Sequence, residues 1–515
     1  MLARSGGQGG GRPLAERGVS PPKLFLSGAA WGEFNSPGQR GSKRGAEQEN
    51  MVQQQQPADY EQVRAIIEQE HVRFINLEFT DVVGMAKCVT IPVEQFAECV
   101  AHGKWFDGSA LEGFARIAES DMYLFPDLAT FAVLPGEVRP VPASGIQQDY
   151  EPEEDDVVAR VICDVRTPDG ERFDGDPRAT LMQALETARA MGYEFRAAPE
   201  LEFFLLRLDG SKPSPLPHDR GGYFDLSTDL AATVRRQMVY ALERMGFSIE
   251  TSHHEVAAGQ HELDFEMDAA LHSADGLMTA KYVLKAIAAQ HGLYATFLPK
   301  PFYGVNGSGL HIHQQLIDCE TGKNAFVDEH AEYGLSEIGR CFIAGQLAHA
   351  RSMCAILAPL VNSYKRLVRG FEAPIFVNWG RINRQALIRV PHLSTDPQTS
   401  MRIELRCTDP SCNPYLALAV MLRTGLDGIQ RKLELPPAMD ENLFLQDEQE
   451  RLRPRSRLLP ATLGEALDGL REDPLIRDIL GDSIYEGFMD AKSIEWIEYR
   501  QQVHGWELER YLPVF

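Results

Sequence analysis

Four short segments of this 515-residue chain alternate polar and apolar residues with a period of two. That period is typical of β-strands that have an apolar back and a polar front. The segments are APELEFFLLRL (198–208), QHELDFEM (260–267), LHIHQQL (310–316) and MRIELRC (401–407). If the fronts face one another, carboxylates converge on one cavity, among them those of Glu200, Glu202, Glu262 and Glu404. The alternative is four solvated strand faces in different parts of the protein.

A glycine-rich turn precedes the third segment, in the stretch KPFYGVNGSGLHIHQQ (300–315). A strand that begins at Leu310 places His311, His313 and Gln315 on one face. Glycines in the turn allow the backbone to approach a ligand closely. Oxygen-rich ligand sets suit Mg²⁺, and an imidazole ligand also admits Mn²⁺. The stretch therefore indicates a binding site, and the alternative is a half-exposed strand with ordinary surface histidines.

The segment 361–406 reverses the charge of the chain. It contains eight Lys or Arg and only three Asp or Glu, a local balance of +5, whereas the whole chain carries −23. Arginine offers planar, permanently charged forks for carboxylate and phosphate groups. Metal-binding acids beside arginines suit phosphoryl transfer, whose catalysis is mostly positioning and charge stabilisation. The alternative is that these arginines pair with acids of another subunit.

The composition excludes several classes of protein. A net charge of −23 argues against nucleic acid and anionic membranes as partners. The eight cysteines include no CxxC pair, which favours reduced thiols in the cytoplasm over a disulfide framework. No apolar run reaches the length of a membrane span, and neither a Walker A sequence nor a dinucleotide fingerprint is present. Residues 1–50 are rich in glycine without any helical or strand period, and we expect them to be disordered.

The remaining chain predicts an α+β protein, with antiparallel strands and helices on one side of them. We predict a helix–strand–strand–helix order near the N-terminus, a loop at 106–109 and a surface loop at 137–156. The predicted helices are 60–70, 95–102, 177–191, 230–245, 271–291 and 336–357, and the two N-terminal strands are 73–79 and 87–91.

Side by side, these stretches resemble the bacterial type I family of glutamine synthetases, from about Phe74 to Phe515. The motifs appear in the family's order: FDGSALEGFARIAESDMYLFPD, ETSHHEVAAGQHELDF, KPFYGVNGSGLHIH, NSYKRLVRGFEAP, NRQALIRVP and ELRCTDPSCNPYLALAVMLRTGLDGI. The resemblance implies a β-grasp domain at 57–163 and a catalytic domain at 164–515, with a curved antiparallel sheet lined by metal ligands. The segment before them, 1–56, is the extension whose composition predicts disorder. The resemblance also implies a cytoplasmic dodecamer of two hexameric rings, with active sites between neighbouring subunits.

The resemblance further implies a division of labour among site residues. One Mg²⁺ (or Mn²⁺) would be held by Glu202, Glu255 and Glu262, and a second by Glu200, His311 and Glu404, with Glu262 between them. Glutamate would be bound by Asn306, Gly307, Arg366 and Arg406, while ATP would meet Arg384, Arg389, Glu250 and His313.

The implied reaction forms glutamine in two steps. The γ-carboxylate of glutamate attacks the γ-phosphoryl group of ATP, and ammonia then displaces phosphate from γ-glutamyl phosphate. Asp107 of a neighbouring subunit would bind ammonium and take its proton. Glu372, on a flap, would close the site and exclude water from the acyl phosphate.

Several positions depart from the family's usual motifs. Ala110 replaces the last Ser of FDGSS, Arg369 and Phe371 replace the Pro and Tyr of LVPGYEAP, and Gly380 and Gln385 replace commoner serines. None of these changes removes a metal ligand or a glutamate anchor. They bear on the flap and on the ammonium pocket.

Two other functions remain open at this point. A γ-glutamyl ligase acting on a polyamine or another primary amine would need a wider amine pocket, and it would usually lose the acids at positions 107 and 372, which are both present. A catalytically dead relative with a structural or regulatory role would lose metal ligands, all of which are present.

The resemblance also bears on regulation. In one branch of the family a Tyr in an Asn-Leu-Tyr sequence is adenylylated, but here Phe444 stands at that place and has no hydroxyl. The chain therefore resembles the unmodified branch, in which feedback inhibition by glutamine relies on an arginine that corresponds to Arg116. The alternative is that Arg116 only pairs with a nearby acid such as Glu119.

Overall fold

The N-terminal part of the protein is built around a six-stranded sheet. The computed structural model describes residues 59–109, 121–136, 138, 157–209, 212–391, 396–440 and 458–515. The sheet has the order β2-β1-β6-β4-β3, with β5 beside β6, and β1 runs parallel to β6. Its strands are β1 (Val72–Thr80), β2 (Ala86–Pro92), β3 (Lys104–Asp107), β4 (Asp121–Pro126), β5 (Ala132–Val133) and β6 (Val157–Arg166).

Two helices, α1 (Tyr60–Gln69) and α2 (Phe96–His102), cover the apolar face of this sheet. Asp59 caps α1 by accepting a 2.9 Å hydrogen bond from the amide of Gln62. The predicted helices and strands of this region are confirmed. The predicted loop at 106–109 is wrong for its first two residues, because Phe106 is buried and pairs with Met122 at the end of β3.

A ten-stranded sheet forms the second layer of strands. Its main path is β14-β15-β16-β13-β7-β10-β9, and β8, β11 and β12 also pair with β7. The 17-residue strand β7 is therefore the centre of the sheet. The strands are β7 (Tyr193–Asp209), β8 (Lys212–Pro217), β9 (Ile249–His254), β10 (Gln260–Phe265), β11 (Asp268–Ala269), β12 (Leu293–Thr296), β13 (Leu310–Asp318), β14 (Trp379–Gly380), β15 (Ile388–Arg389) and β16 (Ile403–Leu405).

Helices enclose the apolar back of this sheet in one large core. The four helices predicted beyond residue 170 are confirmed, whereas sequence analysis did not predict those after residue 410. Among the latter, α9 packs against α3, α5, α6 and α11 and is buried on nearly every side. The helices are α3 (Pro177–Ala190), α4 (Ala232–Arg244), α5 (Ala270–Gln290), α6 (Glu337–Leu357), α7 (Ser363–Arg366), α8 (Pro397–Ser400), α9 (Pro414–Arg431), α10 (Leu463–Glu472), α11 (Pro474–Gln501) and α12 (Gly505–Tyr511).

Both sheets belong to one compact unit, Gln54–Phe515. The domain boundary predicted between 163 and 164 falls inside β6, and it stays a prediction. The predictions of disorder at 1–56 and of the roles of Arg116 and Phe444 concern residues outside the described ranges, as does nearly all of the loop predicted at 137–156. Within the described ranges, no helix combines the length and the apolar character that a membrane crossing requires.

Candidate active site

A polar cavity of roughly 340 Å³ opens on the charged front of the ten-stranded sheet. Most of the residues predicted to form a site line this cavity. They are Glu200, Glu202, Glu255, Glu262, Asn306, Gly307, His311, Arg366, Glu372, Arg384, Arg389, Glu404 and Arg406. The four alternating segments thus bring their carboxylates together, as the sequence predicted, and the roles assigned to individual residues stay predictions.

Strand register explains how the floor of the cavity forms. In the antiparallel pairs of the sheet, Glu202 lies opposite Glu262, Glu200 opposite His311, and Glu404 opposite His313. Paired residues in adjacent strands project to the same face. Four strands that are distant in sequence therefore place their polar side chains side by side.

The two histidines of β13 both hydrogen-bond to Glu200. His311 Nδ1 lies 2.9 Å from one carboxylate oxygen, and His313 Nε2 lies 2.7 Å from the other. Burial favours the protonated form of Glu200, but the histidines outweigh it and hold the pKa of this carboxyl well below its usual range. His313 itself is buried behind Glu200 and does not line the cavity.

The glycine-rich turn holds Glu202 through the backbone. The Gly309 amide donates a 2.9 Å hydrogen bond to Glu202, and the side chain of Gln260 donates another of 2.7 Å. A Cβ at position 309 would lie 2.5 Å from Arg366 Nη2. Glycine is needed here because the backbone passes so close to that guanidinium.

Three carboxylates of the cavity have raised pKa values. Burial, and then repulsion from Glu202, raises the pKa of Glu255 and raises that of Glu262 well above its usual range. Burial also raises the pKa of Asp264. Crowded carboxylates of this kind gain stability when a cation binds between them.

The donor atoms fit such a cation. Ligand atoms lie within 4.8 Å of one another in three groups around the cavity, two of which share Glu262. The groups are Glu200–Glu262–His311, Glu200–His313–Glu404 and His253–Glu255–Glu262. Oxygen donors with one imidazole suit hard divalent ions.

Glu404 lies in a different electrostatic environment from Glu262. Arg389 Nη1 donates a 2.8 Å hydrogen bond to Glu404, and Arg406 forms a second ion pair with it. Although burial opposes ionisation, Arg406 and the neighbouring histidines hold the pKa of Glu404 below its usual range. These two arginines thus pair with an acid of the same chain rather than only with another subunit.

Two further arginines, Arg366 and Arg384, line the cavity, and neither forms an ion pair with an acid among the described residues. Arg366 is buried and donates hydrogen bonds of 3.1–3.3 Å to the carbonyl oxygens of Arg406, Cys407 and Thr408. Arg384 is exposed at the cavity wall. Together with Asn306 and Gly307, they offer donors to anionic groups of a ligand.

An exposed turn carries Glu372 to the rim of the cavity. Its backbone has φ +54, a left-handed conformation that is uncommon for a residue other than glycine. The preceding Phe371 also lines the cavity, and Lys300 Nζ lies 3.7 Å from the centre of its ring. This cation–π contact links the turn to the loop that carries Asn306 and Gly307.

Three other predicted residues do not line the cavity. Glu250 is exposed near the start of β9, and Asp107 is exposed at the end of β3, where it accepts a 2.9 Å hydrogen bond from the amide of Ser109. Hydrogen bonds from Ser109 lower the pKa of Asp107. Arg116 lies outside the described residues. The proposed contacts of all three stay predictions.

Sequence analysis missed several residues that line the cavity. Asp264 could have been predicted, because it follows Glu262 by two positions on the charged front of the predicted strand. His253 could be predicted less readily, since the sequence of β9, IETSHH, has a single apolar residue and shows no alternation. The missed lining residues are Tyr223, His253, Val256, Gln260, Asp264 and Phe371.

Comparison with known proteins agrees with this architecture. Residues 71–168 match the model of the glutamine synthetase β-grasp domain, and residues 174–511 match that of the glutamine synthetase catalytic domain. The glutamine synthetase of Thermus thermophilus is 49% identical over 87% of this chain and 97% of its own, and that of Clostridium saccharobutylicum is 46% identical over 88% and 98%. A solved structure of GmaS in complex with ADP superposes with a TM-score of 0.76, at 28% identity over 89% of this chain and 100% of that one. The chain belongs to the glutamine synthetase family.

Proposed function

We propose that this protein is a glutamate–ammonia ligase, which forms glutamine from glutamate, ammonia and ATP through γ-glutamyl phosphate. Its curated relatives named glutamine synthetase match nearly their whole lengths, which supports this activity. One observation carries the proposal. A single cavity is lined by carboxylates, among them Glu262 with its raised pKa, and by four arginines. Phosphoryl transfer between anions needs both features.

The carboxylate floor would hold two Mg²⁺ ions, or Mn²⁺ in their place. Glu202, Glu255 and Glu262 would bind one ion, and Glu200, His311 and Glu404 the other. When bound, the ions would neutralise negative charge on the transferring phosphoryl group.

The other residues of the cavity would bind and orient the substrates. Arg366 and Arg406, with Asn306 and Gly307, would hold glutamate, and Arg384 and Arg389 would bind the phosphates of ATP. His313 and Glu250 would lie nearer the nucleoside. An oxygen of the glutamate γ-carboxylate then attacks the γ-phosphorus, and the bond from that phosphorus to ADP breaks.

Amide formation needs an acceptor for a proton of ammonium. Asp107, contributed by a neighbouring subunit, would bind ammonium and take this proton before the nitrogen displaces phosphate from the acyl carbon. Glu372 would close over the acyl phosphate and exclude water. The exposure of Asp107 and the position of Glu372 at the cavity rim agree with these roles.

Shared sites require an oligomer, and we propose a cytoplasmic dodecamer of two hexameric rings. Its subunit would consist of an N-terminal domain at 57–163 and a catalytic domain at 164–515. All eight cysteines are free thiols, which suits a reducing compartment.

Turnover by the purified protein with different amines tests the proposed activity. Phosphate release should require glutamate, Mg²⁺ and ammonium, and putrescine or ethanolamine should replace ammonium poorly. Faster turnover with the larger amines would instead establish the γ-glutamyl amine ligase. Absence of turnover with every amine would favour the dead relative.

Asp107→Asn tests the role of the exposed acid at β3. It should lower the rate of amide formation far more than it changes the KM for glutamate, because the carboxylate acts on the amine. Mixed oligomers of this variant with Arg384→Ala should regain activity, since some sites would then receive both intact residues. An increase in the KM for glutamate at unchanged turnover would contradict the role.

Arg116→Ala tests the proposed regulation by glutamine. The variant should stay active and lose sensitivity to glutamine, since the arginine would act in feedback inhibition. Mass spectrometry should find no adenylylated peptide that spans Phe444, which has no hydroxyl to modify. Unchanged inhibition by glutamine would leave Arg116 with the simpler role of an ion-pair partner.

A further inference from the structure

Behind the carboxylate floor, the β9–β10 hairpin buries a second group of ionisable side chains. Strand alternation turns His253 and Glu262 toward the cavity and turns His254 and His261 to the opposite side. Asp219 and Arg235 complete this buried group, and each of the four residues is at most 5% exposed. No substrate-binding or metal-binding role has been assigned above to any of them.

The hydrogen bonds of His254 define its charge. Nδ1 lies 2.7 Å from the carbonyl oxygen of Glu255, and Nε2 lies 3.0 Å from a carboxylate oxygen of Asp219. A carbonyl oxygen and a carboxylate only accept hydrogen bonds, so both ring nitrogens must carry a proton. His254 is therefore an imidazolium that connects Asp219 with the backbone of Glu255.

Asp219 extends this connection to the other end of the turn. The same carboxylate oxygen that bonds His254 accepts a 2.9 Å hydrogen bond from the Gly259 amide, and its second oxygen accepts one of 3.2 Å from the Leu230 amide. Residues 255–259, which join β9 to β10, are thus held at both ends by one buried ion pair. Glu255 is the first residue of this turn.

His261 shows that the group is not itself a metal site. Ligand atoms of Asp219, His254 and His261 lie within 4.8 Å of one another. However, Arg235 Nη1 lies 3.0 Å from His261 Nδ1, and a guanidinium can only donate. Nδ1 of His261 must therefore accept, which leaves the proton on Nε2 and no lone pair there for a metal.

We propose that His254 and Asp219 are positioning residues that fix the carboxylate of Glu255 for the metal ion it would bind. The inference rests on the metal assignment made under the proposed function. The backbone of Glu255 is held on both sides, because its amide donates a 2.8 Å hydrogen bond to the carbonyl oxygen of Gln260 and its own carbonyl oxygen lies 2.7 Å from His254 Nδ1. Partners that orient a metal ligand in this way usually contribute about 10- to 100-fold to metal affinity.

Two isosteric substitutions separate the contacts of His254. In His254→Gln the amide nitrogen occupies the place of Nε2, which keeps the bond to Asp219 and loses the bond to the Glu255 carbonyl. In His254→Asn the amide nitrogen occupies the place of Nδ1, so the contact with Glu255 stays and the contact with Asp219 is lost. His349→Gln is the matched control, since this α6 histidine also bonds an acceptor at each ring nitrogen, the carboxylates of Asp473 at 2.7 Å and Asp427 at 3.2 Å.

Binding of Mn²⁺ to the assembled full-length proteins, followed by electron paramagnetic resonance, supplies the readout. His254→Gln should weaken one of two classes of Mn²⁺ site by about 10-fold or more and leave the other within threefold. His254→Asn, which keeps the contact with Glu255 but loses the one with Asp219, should weaken the same class by less than His254→Gln does, and His349→Gln should leave both classes unchanged. Any of three results would overturn the proposal. These are equal weakening of both classes of Mn²⁺ site, equal loss of Mn²⁺ affinity in His254→Gln and His254→Asn, and unchanged Mn²⁺ binding in His254→Gln.

Two further measurements keep the outcome decisive. If His254→Gln does not assemble, Asp219→Asn is measured instead. It removes the charge of the buried pair and should weaken the same single class, whereas unchanged binding would overturn the proposal. Wild-type protein that binds no Mn²⁺ would contradict the metal assignment itself, whereas two intact classes in wild type and His254→Gln would contradict only the positioning role.

Discussion

The protein contains two crowded groups of carboxylates that differ in how their charge is balanced. In one group, the buried guanidinium of Arg178 contacts Asp127, Asp164 and Asp275 at 2.7, 2.7 and 3.0 Å. In the other, at the cavity floor, the pKa values of Glu255 and Glu262 are raised by burial and by their acidic neighbours. The first group carries its own cation, whereas the second lacks enough positive charge.

This difference separates a structural role from a functional one. Arg178 lies on α3 and joins acids of the N-terminal sheet to Asp275 on α5, so its ion pairs connect the two layers of the fold. Asp275 also accepts a 2.7 Å hydrogen bond from the hydroxyl of Tyr415. Among the described residues, Glu255 and Glu262 have only the imidazole of His253 as a possible cationic partner, at 3.8 and 3.6 Å, and they remain available to an external cation. Clusters of acids therefore indicate function through their missing counter-charge rather than through their number.

Glu262→Ala should have the largest effect on activity. Glu262 belongs to two of the three groups of candidate ligands, so its loss should lower turnover about 10³-fold. Removal of one repelling carboxylate should leave the stability of the metal-free protein unchanged or raise it. Steady-state turnover and thermal unfolding in a chelator measure the two effects. An assembled variant of near-normal activity would refute the proposal that Glu262 serves both ions.

Arg178→Met should do the reverse, with its main effect on stability. It leaves three acids around a buried site without their cation, and loss of one partner of a buried pair costs about 3–5 kcal/mol. Chemical unfolding in a chelator measures this difference, and Mg²⁺ should not restore it. The control is Arg471→Met, because Arg471 pairs with Asp468 on the exposed surface of α10. An Arg178→Met protein as stable as that control would show that the group does not connect the layers.

Sequence could predict the cavity because its signal is local. In the structure, as predicted, Glu200, Glu202, Glu262 and His311 lie on the charged face of the sheet. The opposite face is buried, and this burial fixes the register of the strands. The same reasoning recovered α3 to α6. It was not extended to α9, although Arg423, Asp427 and Arg431 recur every four residues and mark the less buried side of that helix.

Charge compensation could be predicted only in part. Arg406 follows Glu404 by two positions on the same predicted front, so their ion pair has a local signal, whereas the second partner of Glu404, Arg389, lies on another strand. Which acid meets which cation depends on strand order, and β15 and β16 bring Arg389 beside Glu404 only after the sheet has formed. His254 and Asp219 escaped notice for the same reason, since 35 positions separate them.

The smallest expected effect is the pH dependence of stability in the metal-free protein. A raised pKa means that folded Glu262 holds a proton which the unfolded chain releases, above the ordinary pKa of Glu, about 4.3. Stability should therefore fall as pH rises through the range between that value and the raised one, by at most about 1.4 kcal/mol per pH unit for one proton.

Glu262→Gln, which stays neutral, should flatten this fall in stability, and saturating Mg²⁺ should flatten it in the wild type. Arg471→Met, which removes an ion pair on the exposed surface of α10, should keep the slope. The same slope in Glu262→Gln and wild type, measured by unfolding in a chelator at several pH values, would show that the cavity acids are compensated after all.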